Sequence, residues 1–429
     1  MEIQLSPCQP LRGEIEVSAD KSISHRALIF SALAQGEGSV NNCLEAQDIR
    51  ATCNCLRQLG VEIKAKQGRL IVRGNGWQDL QEPDDILDCG NSGTTMRLLT
   101  GLLAGRPFLS ILSGDASLRR RPMRRIIDPL ERMGASISSR HNGLAPLAIK
   151  GQRLKGIDYQ LPVASAQLKT ALLLAGLQAE GPTVLREAEH SRDHSERMLS
   201  AMGAGLRFDG GEITLRPGFA LEPQDFQVPG DISSAAFFIV AATIVPGSEL
   251  LIRNVGVNPT RSGVIEVLES MGADITAENC RVIGGEPVAD LLVRSAPLRA
   301  TVVEGSLVPR LVDEIPVLAV AMTVAEGESR VDGAAELRVK ESDRLAVMCS
   351  ELNKMGGHVE ELPRGLIIQG RPGGLQGARV DSFADHRIAM SLAVAALTAT
   401  GETTLTQAEA VDISFPQFWT LLRKLTEIV

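Results

Sequence analysis

The run Thr170-Ala171-Leu172-Leu173-Leu174-Ala175-Gly176-Leu177-Gln178-Ala179-Glu180-Gly181 carries no charge until its penultimate residue. A helix of that composition has no polar face for solvent and belongs in the middle of a layer. The pattern recurs. Apolar, Ala/Leu-rich segments ending in Gly before a short β-like run stand at Ala27–Gly38, Thr94–Gly105, Ala235–Gly247, Val317–Gly327 and Ile388–Gly401. Taken in chain order, the six closing glycines lie 67, 76, 66, 80 and 74 residues apart. Such periods exceed the usual solenoid range of roughly 20–50 residues, so each copy is a larger supersecondary unit. The closing glycine is expected to supply the left-handed cap that stops each helix.

A second signature interleaves with the first: an amphipathic helix ending in Met-Gly or Leu-Gly, then a strand. It stands at Leu59-Gly60-Val61, Met133-Gly134-Ala135, Met202-Gly203-Ala204, Met271-Gly272-Ala273 and Met355-Gly356-Gly357, with a degenerate sixth copy at Leu421–Val429. Val61–Lys66 and Arg69–Arg73 alternate apolar and polar residues, as a hairpin in a one-sided sheet should. Each unit therefore reads as buried helix, strand, amphipathic helix and hairpin. Three units per half predict an α/β protein of two pseudo-symmetric domains, with the break near Val228-Pro229-Gly230-Asp231. Residues 1–18 precede the first unit, and their strand-like Ile3–Leu5 and Glu14–Val17 suit pairing with either half.

Composition limits what such a protein can do. With 429 residues and 44% hydrophobic side chains the chain can build more than one large core. A net charge of −8 and only 3% aromatic residues oppose nucleic acid, which needs a basic field and stacking platforms. Apolar runs such as Ala235–Val245 end well short of the roughly 20 residues that span a bilayer. Met1–Pro10 lacks a basic-then-apolar run, and the seven cysteines are an odd number scattered along the chain. Reduced thiols and a cytoplasmic location are the expectation. Cys53 and Cys55 have no matching second pair, and His190 with His194 sits among Arg192, Asp193 and Glu196, a charged segment more than a metal site.

Polar residues gather where the buried helices begin. Asp20-Lys21-Ser22-Ile23-Ser24-His25-Arg26 stands before the first, Gly90-Asn91-Ser92-Gly93-Thr94-Thr95 before the second, and Ala164-Ser165-Ala166-Gln167-Leu168-Lys169 before the third. The fourth opens with Gly230-Asp231-Ile232-Ser233-Ser234, the fifth with Val312-Asp313-Glu314 and the sixth with Asp385-His386-Arg387. Any one of these is an ordinary N-cap. Six together, several with Lys, Arg or Gln, offer helix N-termini and cations to a small multiply charged anion. Arg119-Arg120-Arg121, Arg192, Lys340 and Arg344 add to that field. No Gly-x-x-x-x-Gly-Lys-Ser/Thr and no Gly-x-Gly-x-x-Gly after a strand is present, which opposes a P-loop or a dinucleotide fold.

These motifs, in this order, resemble those of the enolpyruvyl transferases, and within them the branch acting on shikimate 3-phosphate. The resemblance runs through Asp20-Lys21-Ser22 with Arg26, Gly90-Asn91-x-Gly93-Thr94, Arg121-Pro122-Met123 and Ser165-Ala166-Gln167. It continues through Asp313-Glu314, Arg338-Val339-Lys340-Glu341-Ser342-Asp343-Arg344 and Asp385-His386-Arg387. Ser165-Ala166-Gln167-x-Lys169, Arg192-x-His194-x-Glu196 and Asn258-x-Thr260-Arg261 resemble the subgroup called class II. The alternative branch acts on UDP-N-acetylglucosamine; it is expected to carry Lys-Asn where Lys21-Ser22 stands, and often a Cys in the loop that here is Ser113–Arg121 and has none.

The resemblance implies two inside-out α/β barrel domains, each of three βαβαββ units: residues 19–230, and residues 231–429 joined by residues 1–18. The active site is expected in a cleft between them. It implies that Ser22 and Arg26 face the shikimate carboxylate, and that Ser165, Ala166 (by its backbone), Gln167 and Arg192 surround shikimate 3-phosphate. Lys21, Gly93 (by its N–H), Arg121, Gln167, Arg344 and Arg387 would hold phosphoenolpyruvate. Asp313 would take the 5-hydroxyl proton, Lys340 would contact the ring, and Glu341 with Lys21 would protonate the phosphoenolpyruvate methylene. A monomer with no metal and no organic cofactor is implied. Glu336 and Ile413 depart from residues found in some family members, and no role follows for them. Glyphosate, expected at the phosphoenolpyruvate position, is often tolerated by class II members that have Ala where this chain has Gly93.

Overall fold

The computed structural model describes residues 1–209 and 211–426. They form two compact units. The N-terminal unit comprises Ala19–Val228 with Ile283–Glu286; the C-terminal unit comprises Met1–Ser18, Pro229–Val282 and Pro287–Val429. Helices alternate between two roles along the chain: α1 (Lys21–Leu33) and α2 (Gln47–Gln58), α3 (Gly93–Leu103) and α4 (Arg124–Arg132), α5 (Ala166–Gly176) and α6 (His194–Ala201) in the first unit. The second unit has α7 (Ile232–Ile244) and α8 (Gly263–Ser270), α9 (Ile315–Val324) and α10 (Arg344–Lys354), α11 (His386–Ala396) and α12 (Phe418–Thr426). The first helix of each pair is inner. Ala27–Leu33 of α1 and Thr170–Ala175 of α5 are buried on every face, as a chargeless repeat requires. α3 packs on α5 in one unit, and α7, α9 and α11 pack mutually in the other.

Each inner helix leads into a strand of a small mixed sheet. In the second repeat Leu87–Asp88 runs parallel to Leu109–Ser113, which pairs antiparallel with Leu144–Lys150, itself paired with Ser136–Arg140. The same order recurs around the N-terminal unit, where Asp225–Gln227, from the end of the third repeat, supplies the leading strand beside Gln35–Asn41 of the first. The predicted hairpin forms as Glu62–Lys66 with Arg69–Asn75. Gln67 and Gly68 both take positive φ in its two-residue turn, the geometry whose twist matches paired strands.

The opening residues find their partners in the C-terminal unit. Arg12–Glu16 runs parallel to Glu249–Gly256, and Glu2–Leu5 pairs antiparallel with Thr403–Thr406. The second pairing explains the degenerate sixth repeat: the chain's first strand stands where the other repeats place a hairpin. The expected sixth signature over Leu421–Val429 runs past the described residues after 426, and its described part belongs to α12. There Phe237 and Phe238 of α7 meet Phe415 and Phe418 edge-on or tilted, with centroids 5.7–6.1 Å apart. Each such contact adds about 0.5–1.5 kcal/mol beyond its buried area.

The expectation about the closing glycines is corrected. The inner helices end before their glycine: α1 stops at Leu33 with Ala34 extended at ψ 158°, and Gly38 lies inside the following strand. The left-handed glycine cap belongs to the outer helices instead. Gly60 has φ +86° after α2, and Val61 N–H reaches back to Leu56 O at 3.0 Å, the six-to-one bond of a Schellman cap. Gly134 repeats it after α4 at φ +102°. An outer helix must turn sharply into a solvated hairpin and needs the cap, whereas an inner helix hands its last carbonyls to the sheet above it.

Candidate active site

The polar motifs were expected to precede the inner helices, but most lie inside their first turns. Asp20 caps α1 by accepting from Ile23 N–H at 2.8 Å, so Lys21, Ser22, His25 and Arg26 are helical. Ser92 caps α3 and Ser165 caps α5, leaving Gly93 and Gln167 in the helices. A side chain one turn inside a helix is held more rigidly than one on a loop.

In the N-terminal unit these turns assemble a cation-rich set. Lys21 Nζ lies 3.2 Å from Asp48 Oδ2 at the start of α2. Arg26 is 2% exposed, and its fork donates to Ser195 Oγ at 2.7 Å, Thr170 Oγ1 at 2.9 Å and Ser22 O at 2.9 Å. Burial draws its pKa down to about 10, with Glu196 opposing. Arg192 Nη1 stands 3.5 Å from Ser22 Oγ. Arg121 Nη2 donates to Asn91 Oδ1 at 2.7 Å and to Ser117 Oγ at 3.3 Å. Arg121 is buried while Arg119 and Arg120 are exposed, so only one residue of that triplet points inward. Gln167 accepts from Arg97 Nη1 at 2.7 Å and donates to Thr94 Oγ1 at 2.9 Å.

Gly93 sits against this group. A Cβ placed on it would meet Arg97 Nη1 at 2.9 Å and Arg121 Nη1 at 3.4 Å. Beneath, a chain of hydroxyls joins the helix starts: His25 Nδ1 to Thr52 Oγ1 at 2.7 Å, Thr52 to Thr95 at 2.7 Å and Thr95 to Ser92 at 2.8 Å. Burial, with Lys21 and Arg26 nearby, pushes the His25 pKa well down and keeps the ring neutral. Sequence reasoning passed over Arg97 and Asp48. Arg97 follows Gly93 by four residues, the spacing that puts two helical positions on one face.

The C-terminal unit gathers its own set around Arg344, at the first position of α10. Arg344 Nε is 2.8 Å from Asp385 Oδ2, Nη2 is 2.7 Å from Glu341 Oε2, and Nη1 is 3.4 Å from Asp313 Oδ1. Burial lowers its pKa, but Asp385, Glu341 and Asp313 outweigh burial and raise it. Lys340 Nζ lies 3.4 Å from Asp313 Oδ1 and 3.2 Å from Glu336 Oε1. Arg387 Nη1 donates to Asp313 O at 3.0 Å and approaches Glu314 Oε1 at 3.4 Å. Glu314, adjacent to Asp313, is 1% exposed and also takes Arg261 Nη1 at 3.2 Å and the Ser233 hydroxyl. It holds the turn before α9, with Arg261 of the Asn258-x-Thr260-Arg261 motif as its partner. Ile413 closes a short helical turn, Ala408–Ile413.

The sixfold-repeated α/β fold that carries these two sets of helix-start cations is that of the enolpyruvyl transferases. The enolpyruvyl transferase NikO from Streptomyces tendae shares this fold, with a TM-score of 0.79 at 19% identity over 98% of this chain and 96% of that one. The profile of the EPSP synthase family (3-phosphoshikimate 1-carboxyvinyltransferase) matches residues 5–422, and the chain belongs to that family. It is 59% identical over 422 residues to the 3-phosphoshikimate 1-carboxyvinyltransferase of Syntrophomonas wolfei, spanning 98% of this chain and 99% of that one. The solved EPSP synthase of Acinetobacter baumannii superposes with a TM-score of 0.88 at 44% identity, over 99% of this chain and 98% of that one. Among the described residues no helix is long and apolar enough to cross a membrane.

Proposed function

We propose that this chain transfers the enolpyruvyl group of phosphoenolpyruvate to the 5-hydroxyl of shikimate 3-phosphate, releasing phosphate, as a step towards aromatic amino acids. One observation carries the reading: the match to the family extends over residues 5–422 and so includes every helix start that bears a candidate residue.

The residues divide the work. Ser22 and Arg26 face the shikimate carboxylate; Ser165, the Ala166 backbone, Gln167 and Arg192 take the 3-phosphate. Lys21, the Gly93 N–H, Arg121, Gln167, Arg344 and Arg387 hold phosphoenolpyruvate. Glu341, assisted by Lys21, gives a proton to the methylene carbon, which makes the adjacent carbon electrophilic. The 5-hydroxyl oxygen attacks that carbon while Asp313 takes its proton, with Lys340 steadying the ring. The tetrahedral adduct then loses a methyl proton and its phosphate, restoring the double bond on the new ether. Positioning and cations placed where charge develops lower the barrier. The chemistry is acid–base addition and elimination and calls for neither a metal nor an organic cofactor. A monomer acting in the cytoplasm, with no nucleic acid partner, fits a small-molecule enzyme of net charge −8.

The test is phosphate release from phosphoenolpyruvate with shikimate 3-phosphate, compared with UDP-N-acetylglucosamine. Release with the first alone supports the proposal; release with the second alone refutes it.

A further inference from the structure

Lys169 has no part in the reaction just described, yet it is 0% exposed and ionically paired. Its Nζ stands 2.9 Å from Glu187 Oε2, 2.5 Å from Glu196 Oε1 and 3.3 Å from Ser191 O. Three elements meet at this ammonium: α5 through Lys169, the strand Thr183–Glu187 through its last residue, and the first turn of α6 through Glu196. Between the strand and α6 runs the connection that carries Arg192.

Two anchors of that connection lead back to the cluster. Glu187 Oε1 accepts from Ser191 N–H at 3.3 Å and from the Ser191 hydroxyl. Ser191 is thus held by Lys169 on its carbonyl and by Glu187 on its amide and side chain, immediately before Arg192. On the far side, Ser195 Oγ meets Thr170 Oγ1 at 2.6 Å and accepts from Arg26 Nε at 2.7 Å. Lys169 and Thr170 are neighbours on α5, as are Ser195 and Glu196 on α6. One pair fixes Arg192 and the other fixes Arg26. Arg192 helps to lower the Arg26 pKa, as a like charge does.

A buried ion cluster often stabilises a fold less than apolar packing would, and its best-attested use is to hold one arrangement against others. We infer that Lys169, Glu187 and Glu196 are positioning residues: they hold Arg192 and Arg26 in place for the phosphate and carboxylate of the phosphorylated substrate. The inference rests on the reading of these two arginines given above. It also gives Ser165-Ala166-Gln167-x-Lys169 and Arg192-x-His194-x-Glu196 a common purpose, since the last residue of each motif is half of one ion pair.

The test is a double-mutant cycle between Glu187→Gln and Arg192→Ala, read by calorimetric binding of shikimate 3-phosphate and by steady-state kinetics. Glu187→Gln keeps the size of the side chain and leaves Lys169 paired with Glu196, so the fold should survive; Lys169→Met is the harsher companion. Glu187→Gln should weaken shikimate 3-phosphate binding roughly ten- to a hundredfold, the scale of a misplaced binding group. The Michaelis constant for phosphoenolpyruvate and kcat, at saturating shikimate 3-phosphate, should change little. In the Arg192→Ala background Glu187→Gln should cost almost nothing further. Unchanged binding in a folded Glu187→Gln protein, or effects that simply add, would overturn the positioning role while leaving wild-type turnover intact. Failure of the wild type to bind shikimate 3-phosphate would instead remove the underlying reading, and this inference with it.

Discussion

The site residues of the two units differ in what their arginines touch. In the N-terminal unit guanidiniums meet hydroxyls and amides: Arg26 bonds Ser195 and Thr170, Arg97 bonds Gln167, and Arg121 bonds Asn91 and Ser117. In the C-terminal unit they meet carboxylates: Arg344 touches Asp385, Glu341 and Asp313, and Arg261 and Arg387 share Glu314. A guanidinium ringed by carboxylates holds and aims them. We propose that the first set chiefly binds the substrates, and that the second also aims the carboxylates that move protons.

The sharpest way to break this division is to neutralise the carboxylates. Asp313→Asn and Glu341→Gln should each lower kcat by roughly two to four orders of magnitude, with calorimetric affinity for shikimate 3-phosphate preserved. Loss of affinity in step with turnover would show that the second set also binds. A matched pair of arginine changes comes next. Arg121→Lys removes a planar fork from a binding position, and the Michaelis constant for phosphoenolpyruvate should rise by about 10- to 150-fold. Arg344→Lys should depress kcat more than it raises that constant, because Glu341 loses its 2.7 Å partner. Equal effects on both parameters in both variants would erase the distinction.

A smaller effect is expected at Gly93. The methyl of Gly93→Ala would press first on the far end of Arg97, 2.9 Å away, which can swing aside. Phosphoenolpyruvate should therefore lose only a few-fold in affinity, about the cost of modest crowding. Glyphosate, the longer ligand, should inhibit the native chain and lose at least roughly fivefold on Gly93→Ala. Inhibition constants of both forms, measured against phosphoenolpyruvate, decide it. Native enzyme indifferent to glyphosate would move attention from Gly93 to Arg97 and Arg121.

A last prediction concerns acid stability. Burial pushes the Asp385 carboxyl up, but Arg344 outweighs it and holds the group below the usual carboxylate range. With the folded pKa below the unfolded one, the stabilisation is fully present above about pH 4 and drains away as pH falls through the folded value. Asp385→Asn keeps a good N-cap for α11 and removes the titration. The wild type should lead the variant by up to roughly 3 kcal/mol near neutrality, and denaturant melts should show that lead shrinking below about pH 4. A lead that stays constant into acid would mean that the pair is not ionised in the fold.

The sixfold repeat was legible because burial on all faces forbids charge, and Thr170–Gly181 or Ala235–Gly247 advertise that. Helix ends were less so. Gly38 and Gly60 look alike in sequence, and only the path of the chain after the helix decides which one caps. Arg97 was hidden because it lies in an apolar helix, and its role depends on Gln167, 70 residues away on α5. Glu187 was hidden for the same reason: at the end of an ordinary strand, nothing local says that its carboxylate is buried on a lysine from another element.

The pairing of Glu2–Leu5 with Thr403–Thr406 has a consequence for synthesis. Glu2–Leu5 is made long before either other strand of its sheet, Arg379–Asp381 and Thr403–Thr406. At roughly 5–20 residues per second, Arg12–Glu16 waits on the order of 10–50 seconds for Glu249–Gly256, and Glu2–Leu5 about 20–80 seconds for Thr403–Thr406. Meanwhile nearly all of the N-terminal unit, Ala19–Val228, has emerged and can fold. The opening residues are then an unpaired strand edge dangling from a finished neighbour, the state in which strands find wrong partners. Arg12, Glu14 and Glu16, alternating along the second of these strands, give it the charge that keeps a waiting edge in solution.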